Sequence, residues 1–178
     1  MAGARSSRHD GACVKLWRPA YVGIGSNLGD STAIVAAAIE RLGRIDSTRL
    51  VARSSLYRTP AFGPVAQPEF INAAAGLLSQ LEPHALLRAL RMAELELGRE
   101  PTRVKWGPRV IDLDLLVCGS LVVNDDELTL PHPGIAARSF VLYPLTELAP
   151  DLNVPGVGRI SVLTQSLGAA TIERLALA

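Results

Sequence analysis

The sequence predicts one mixed helix-and-strand domain with elements in the order strand, helix, strand, strand, helix, strand. Three observations carry that expectation. The chain has 178 residues, 48% of them hydrophobic, enough for one sizeable core and too few for two comfortable ones. Short apolar runs bounded by Gly, Pro and Asn alternate with two longer stretches of helical spacing. No internal repeat or second domain breaks the pattern.

Residues Met1 to about Arg18 are rich in Gly, Ala, Ser and Arg and lack periodicity. They read as a disordered leader, 1–18, ahead of a single domain, 19–178. Asp10 is the one acid in this stretch, which leaves a transit peptide open, whereas Lys15 interrupts the only apolar run that could serve as a signal peptide. From Ala20, AYVGIGSN forms a strand ending in Gly25-Ser26-Asn27. Asp30 or Ser31 then caps a helix that runs through about Leu42. GIGSNLGD lacks the GK[ST] of a phosphate-binding loop and is not a full GxGxxG, so it reads as a tight turn that lets Asn27 hydrogen-bond across the fold.

A second strand is expected over about Leu50 to Tyr57, ending at Thr59-Pro60, and the proline-rich loop after it is stiff. Phe70 to Leu78 reads as the third strand, although its alanines would also suit a helix. Asn72 within it is either a satisfied core amide or an amide facing a cavity, where it would read the donor and acceptor edge of a heterocycle. Glu82-Pro83 opens the clearest helix, with Leu86, Leu87, Leu90, Leu95 and Leu97 mainly on one stripe up to Gly98. Glu94 and Glu96 near its end oppose the helix dipole and call for a cation.

Arg99, Arg103, Lys105 and Arg109 follow against one acid, Glu100, a local charge of +3 in a chain whose total is +1. This basic loop runs straight into WGPRVIDLDLL, residues 106–116. In a strand, Asp112 and Asp114 share one face while Ile111, Leu113 and Leu115 share the other. Two adjacent carboxylates need a counter-charge, either the neighbouring arginines on a solvated face or a hard divalent cation. Arginine forks beside such a cation suit phosphate oxygens. Past this strand, Asp125, Asp126 and Glu127 read as a solvated face, and the C-terminal segment from Val154 is expected to cover the sheet.

The small net charge points away from nucleic acid and anionic membranes, and the longest apolar runs fall well short of the ~20 residues of a membrane helix. Cys13 and Cys118 are the only cysteines and have no metal-ligand spacing, which suggests a cytosolic, cytoplasmic setting.

Five blocks, YVGIGSNLGD, SSLYRTPAFG, QPEFINAA, LGR with WGPRVIDLDLL, and LPHPGIAARSFVLYPLTELAPDL, resemble the 6-hydroxymethyl-7,8-dihydropterin pyrophosphokinase family of folate biosynthesis, from Tyr21 to about Leu152. The resemblance implies a ferredoxin-like α+β fold, a βαββαβ core with C-terminal additions. It also implies transfer of the β,γ-pyrophosphoryl group of ATP to the pterin hydroxymethyl, leaving AMP. By the same resemblance Asp112 and Asp114 hold two magnesium ions, and Arg99 and Arg109 act with them in catalysis. Thr59, Pro60, Phe62, Phe70, Asn72, Trp106 and Phe140 would bind the pterin. Glu94, Arg99, Trp106, Arg109, Thr129, His132 and Arg138 would bind ATP. A monomer without nucleic-acid or membrane partners is expected.

Pro133, Phe70 and Pro101 depart from the family pattern, standing where an aromatic, a tyrosine and a basic residue are common. Two other classes stay open from the residues alone: a non-catalytic binding relative, and a phosphohydrolase that uses the aspartate pair and water.

Overall fold

The computed structural model of the protein describes residues 16–61, 66–100, 107–167 and 171–175. Its first strand, β1 (Arg18–Ser26), buries Ala20, Val22, Ile24 and Ser26 on one face, the period-2 pattern of a two-faced strand. Asp30 caps α1 (Ser31–Leu42) by accepting the Ala33 N–H at 3.1 Å.

Residues 50–57, expected as one strand, belong to two: β2 (Thr48–Arg53) and β3 (Tyr57–Thr59), both antiparallel to β4 (Phe70–Ser79). The break falls where Ser54 and Ser55 bond outside a regular ladder. Ser54 Oγ accepts the Ala74 N–H at 2.9 Å, and the Ser55 N–H donates to Glu147 at 3.0 Å.

Helix α2 (Pro83–Glu96) starts on Pro83 and is stopped at Gly98, whose φ of 89° few side chains tolerate. Leu86, Leu90, Ala93 and Glu94 are buried, whereas Leu95, expected on the apolar stripe, is 54% exposed. One residue is about 100° of helix, so a stripe through 86, 90 and 94 turns 95 outward. Glu96 is answered by Arg41 of α1, and Glu94 by Arg99.

Strand β5 (Asp112–Cys118) completes the core, followed by the hairpin β6 (Val123–Asn124) and β7 (Thr129–Leu130). The acidic run at this hairpin is exposed but also fastened to α2: Asp125 meets His84 at 2.9 Å and Glu127 meets Arg91 at 3.0 Å. Then come α3 (Ser139–Leu148), β8 (Asn153–Val154), β9 (Gly158–Arg159), α4 (Ile160–Ser166) and β10 (Glu173–Arg174). The C-terminal segment does more than cover the sheet, because β10 joins it at the edge of β3.

The main sheet runs β10-β3-β4-β1-β5, with β2 also on β4, and all of its pairings are antiparallel. Counting β2 and β3 as one interrupted strand gives the βαββαβ order of a ferredoxin-like α+β fold. Helices α1 and α2 close one face over Val22, Ile24, Leu42, Leu86, Leu90, Leu113 and Leu115. On the other face α3 and α4 cover a second cluster around Leu116, Ile135, Leu142, Leu145 and Ile160.

Leu90 is fully buried in the first core. Leu90→Ala should therefore lower the unfolding free energy by about 2–5 kcal/mol, measured by urea denaturation. A loss within error would mean that this core collapses around the gap.

Candidate active site

The part of the second face not covered by α3 carries the site. Residues opposite one another on neighbouring strands share a face. The register sets Tyr57, Asn72, Gly25 and Asp112 in one row across the sheet, with Ala74, Gly23 and Asp114 in the next. The middle of this floor is bare. A Cβ at Gly25 would lie 3.2 Å from Asn72 Oδ1 and 3.7 Å from Phe70 Cδ1, and one at Gly23 would lie 3.4 Å from Leu116.

Above the floor lies a cavity of about 360 Å³, within the usual range for small-molecule sites. Thr59, Pro60, Phe70, Asn72, Arg99, Arg109, Asp112, Asp114, His132, Arg138 and Phe140, all predicted from sequence, line it. Ile111, Leu113 and Leu115 point into the core, so the alternation read from the sequence places both aspartates on the open side.

The cavity has an apolar end and a charged end. At the apolar end Asn72 Nδ2 donates to Thr59 Oγ1 at 2.9 Å, and both side chains are buried. That bond turns Asn72 Oδ1 toward Gly25 and the cavity, so Asn72 is at once a partnered core amide and a cavity-facing acceptor. Phe70 comes from β4 and Phe140 from the first turn of α3. The Arg138 guanidinium carbon lies 5.8 Å from the Phe140 ring centre.

At the charged end Asp112 receives Arg99 at 2.8 Å and Arg109 at 2.7 Å. Asp114 is differently placed, with His132 Nε2 at 4.0 Å. Burial pushes the Asp114 carboxyl above its ordinary range, and Asp112 adds to the effect, against the pull of His132, Arg138 and Arg109. Burial holds His132 low, against the pull of Asp114. Its Nδ1 accepts the Gly134 N–H at 3.1 Å, which leaves Nε2 toward Asp114.

The arginines are held from behind. Asn27 donates its N–H to the Arg109 carbonyl at 3.1 Å and accepts the Arg109 N–H on Oδ1 at 2.8 Å. Its Nδ2 donates to Gln67 Oε1 and the Pro68 carbonyl. This is the cross-fold bonding expected of the turn after β1.

Glu94, expected at the nucleotide, does not line the cavity. It is buried on the sheet-facing stripe of α2, pairs with Arg99, and accepts the Leu113 N–H of edge strand β5 at 2.7 Å. Burial pushes its carboxyl up to about 7, against the Leu113 N–H and Arg99. Thr129 also falls outside the lining, on the exposed side of β7. Phe62, Trp106 and Pro101 lie outside the described residues.

Sequence reasoning did not assign Gly23 and Gly25 to the floor. The signal was there, because glycine at alternate positions of a strand bares one face. It also passed over Glu147, whose carboxylate ties α3 to β3.

Asp112 and Asp114 offer hard oxygens on one face, and burial leaves Asp114 under-compensated, which fits a divalent cation. Among the described residues no group of three or more His, Cys, Asp or Glu side chains is arranged to hold a metal ion. The Asp112 and Asp114 pair suits magnesium, which takes one or two carboxylates and completes its shell with water and substrate phosphates.

An antiparallel ferredoxin-like domain with paired carboxylates, two arginines and an apolar slot on one sheet face suits the chemistry of small-molecule phosphoryl-group transfer. Residues 21–150 match the family described as 7,8-dihydro-6-hydroxymethylpterin-pyrophosphokinase (HPPK), and the chain belongs to that family.

A 2-amino-4-hydroxy-6-hydroxymethyldihydropteridine pyrophosphokinase of Methylorubrum extorquens is 47% identical over 137 residues, covering 77% of this chain and 86% of the relative. One of Pseudomonas aeruginosa is 43% identical over 155 residues, covering 87% and 95%. The crystal structure of a Plasmodium falciparum HPPK-DHPS triple mutant superposes with a TM-score of 0.69 at 13% identity. It covers 87% of this chain and 45% of that longer one, a likeness of fold. The family's enzymes are ATP-dependent diphosphotransferases of folate synthesis that act on hydroxymethyldihydropterin.

Proposed function

We propose that this protein transfers the pyrophosphoryl group of ATP to 6-hydroxymethyl-7,8-dihydropterin by in-line attack, with two magnesium ions on Asp112 and Asp114. The observation that carries the reading is the division of one cavity into an apolar slot and a carboxylate–arginine end. The pterin lies between Phe70 and Phe140, and Asn72 Oδ1 accepts from its ring edge. Thr59 and Pro60 bound the slot, and Phe62 and Trp106 belong to the same pocket by resemblance.

The hydroxymethyl oxygen then faces the triphosphate held by Arg99, Arg109, His132 and Arg138. The new bond joins that oxygen to the β-phosphorus, and the hydroxyl proton passes to solvent. The bond from the β-phosphorus to the oxygen shared with the α-phosphate breaks, and AMP leaves with that oxygen. Magnesium bound there supplies charge neutralisation and alignment of the phosphates. Arg99 and Arg109 stabilise charge developing on the transferred group, and Glu94 supports Arg99 from behind.

The working unit is a single domain over 19–178, with the leader outside it, acting as a cytoplasmic monomer without nucleic-acid or membrane partners. The small net charge gives no bulk attraction for nucleic acid or an anionic membrane surface, and among the described residues no helix is long and apolar enough to cross a membrane.

The deciding experiment incubates the protein with ATP, magnesium and hydroxymethyldihydropterin and separates the nucleotides. AMP formed in step with pterin pyrophosphate is expected. ADP or free phosphate would point instead to a phosphohydrolase, and tight binding without turnover to a non-catalytic relative.

The floor gives a separate prediction. Gly25→Val puts a branched side chain where even a Cβ is 3.2 Å from Asn72 Oδ1, so pterin affinity should fall by about tenfold or more, a factor worth about 1.4 kcal/mol. Calorimetric titration reads this directly, and an unchanged affinity would remove the heterocycle from this floor.

A further inference from the structure

We infer that Glu147 is a positioning residue that fastens the two walls of the pterin slot to each other and so sets its width. The inference rests on the assignment of that slot to pterin given above.

One wall is α3, which carries Phe140 in its first turn. The other is β3, which carries Thr59 and is paired to Phe70 and Asn72 of β4. Phe140 and Glu147 are seven residues apart, two turns of helix, and so lie along the same side of α3. Four donors converge on the Glu147 carboxylate. Oε2 accepts the Ser55 N–H at 3.0 Å and the Tyr57 hydroxyl at 2.9 Å, and Oε1 accepts the Ser55 hydroxyl and an Arg174 guanidinium N–H, each at 2.9 Å. Arg174 Nε also donates to Ser55 Oγ at 2.9 Å, closing a ring of three side chains.

Ser55 sits in the break before β3. Tyr57 stands two residues before Thr59, on the same face of that strand, and opposite Asn72. The carboxylate therefore grips the strand that holds Thr59 through consecutive points along it.

Two features of α3 explain why it needs such an anchor. Its N-terminus has no side-chain cap, and Pro144 inside it has no N–H for the Phe140 carbonyl. A ten-residue helix built this way is weakly held by its own bonds. The Glu147 bonds tie it to the sheet on the side that faces the slot. The donors also shape the carboxylate: burial pushes its pKa up, but the Ser55 and Tyr57 bonds and Arg174 outweigh it and hold the group below its ordinary range.

The test measures 6-hydroxymethylpterin binding by fluorescence titration, with magnesium and a non-hydrolysable ATP analogue present, and binding of the analogue alone. Glu147→Gln loses the Arg174 pairing and turns an amide N–H₂ toward donors. It should weaken pterin binding by about tenfold or more while nucleotide affinity stays within about twofold. Tyr57→Phe removes one of the four bonds and should weaken pterin binding by a smaller factor with the same selectivity. It carries the test should Glu147→Gln fail to fold.

Lowered thermal stability with equal loss of both ligands, or with no loss of either, would overturn the positioning role and leave Glu147 a stabilising contact only. Failure of the unsubstituted protein to bind pterin would instead overturn the assignment of the slot, and the inference with it.

Discussion

Asp114→Asn should bring the rate of AMP formation down by about 10³-fold, corresponding to about 4 kcal/mol of lost transition-state stabilisation, and abolish its response to magnesium. Asp114 is the cleaner of the two aspartates to change. Asp112 is engaged by both Arg99 and Arg109, so its removal would release the arginines as well as a proposed metal ligand. Asp114 meets the His132 imidazole at 4.0 Å.

The same substitution should leave the ligand-free protein at least as stable as before. A carboxyl whose folded pKa is raised, as burial raises that of Asp114, disfavours the folded state once pH exceeds its unfolded pKa, and the relief comes as pH falls. A neutral amide removes that penalty at neutral pH. Thermal unfolding without ligand, beside a magnesium titration of the rate, reads both effects. A magnesium-dependent rate near that of the unsubstituted protein would take Asp114 out of the proposed metal site.

Arg109→Ala should lower the maximal rate by about 10²–10³-fold, the usual effect of deleting one charge-stabilising donor, while pterin affinity stays within about threefold. The split is expected because the Arg109 backbone is pinned from both sides by Asn27. Losing the side chain therefore leaves the chain path in place. Arg109→Lys should recover only part of the rate, since an ammonium restores charge but not the two-pronged fork. A maximal rate unchanged in Arg109→Ala would show that the guanidinium does no work in the transition state.

The sequence made legible what depends on period. Alternation over Ile111 to Leu115 was enough to put Asp112 and Asp114 on the open face, because a strand has only two sides. The Asp30 cap and the Gly98 stop could be read for a similar reason, since each answers a local need of the backbone. What stayed hidden depends on partners far along the chain. Ser54 and Ser55 read as part of a strand until Ala74 and Glu147 are seen to take their hydrogen bonds.

Glu94 was expected at the nucleotide from the family resemblance, and from the residues alone only as a helix-end acid that calls for a cation. Its burial under β5 follows from the α2 stripe, which a leucine count displaced by one position at Leu95. Strand β10 is two residues long and has no periodicity to read. The family blocks named most of the cavity lining, yet resemblance transfers positions rather than contacts, and it could not separate residues that touch the cavity from those that brace it.

The bare floor of Gly23 and Gly25 bears on inhibition. A heterocycle held between Phe70 and Phe140, as proposed above, would meet peptide groups where it reaches this floor, and a peptide group cannot be mutated away. Any side chain added at Gly25 crowds Asn72 and Phe70, and would obstruct the natural substrate as much as a competitor. Drug resistance through this surface would therefore be self-defeating, and escape would have to come from the rim of the cavity.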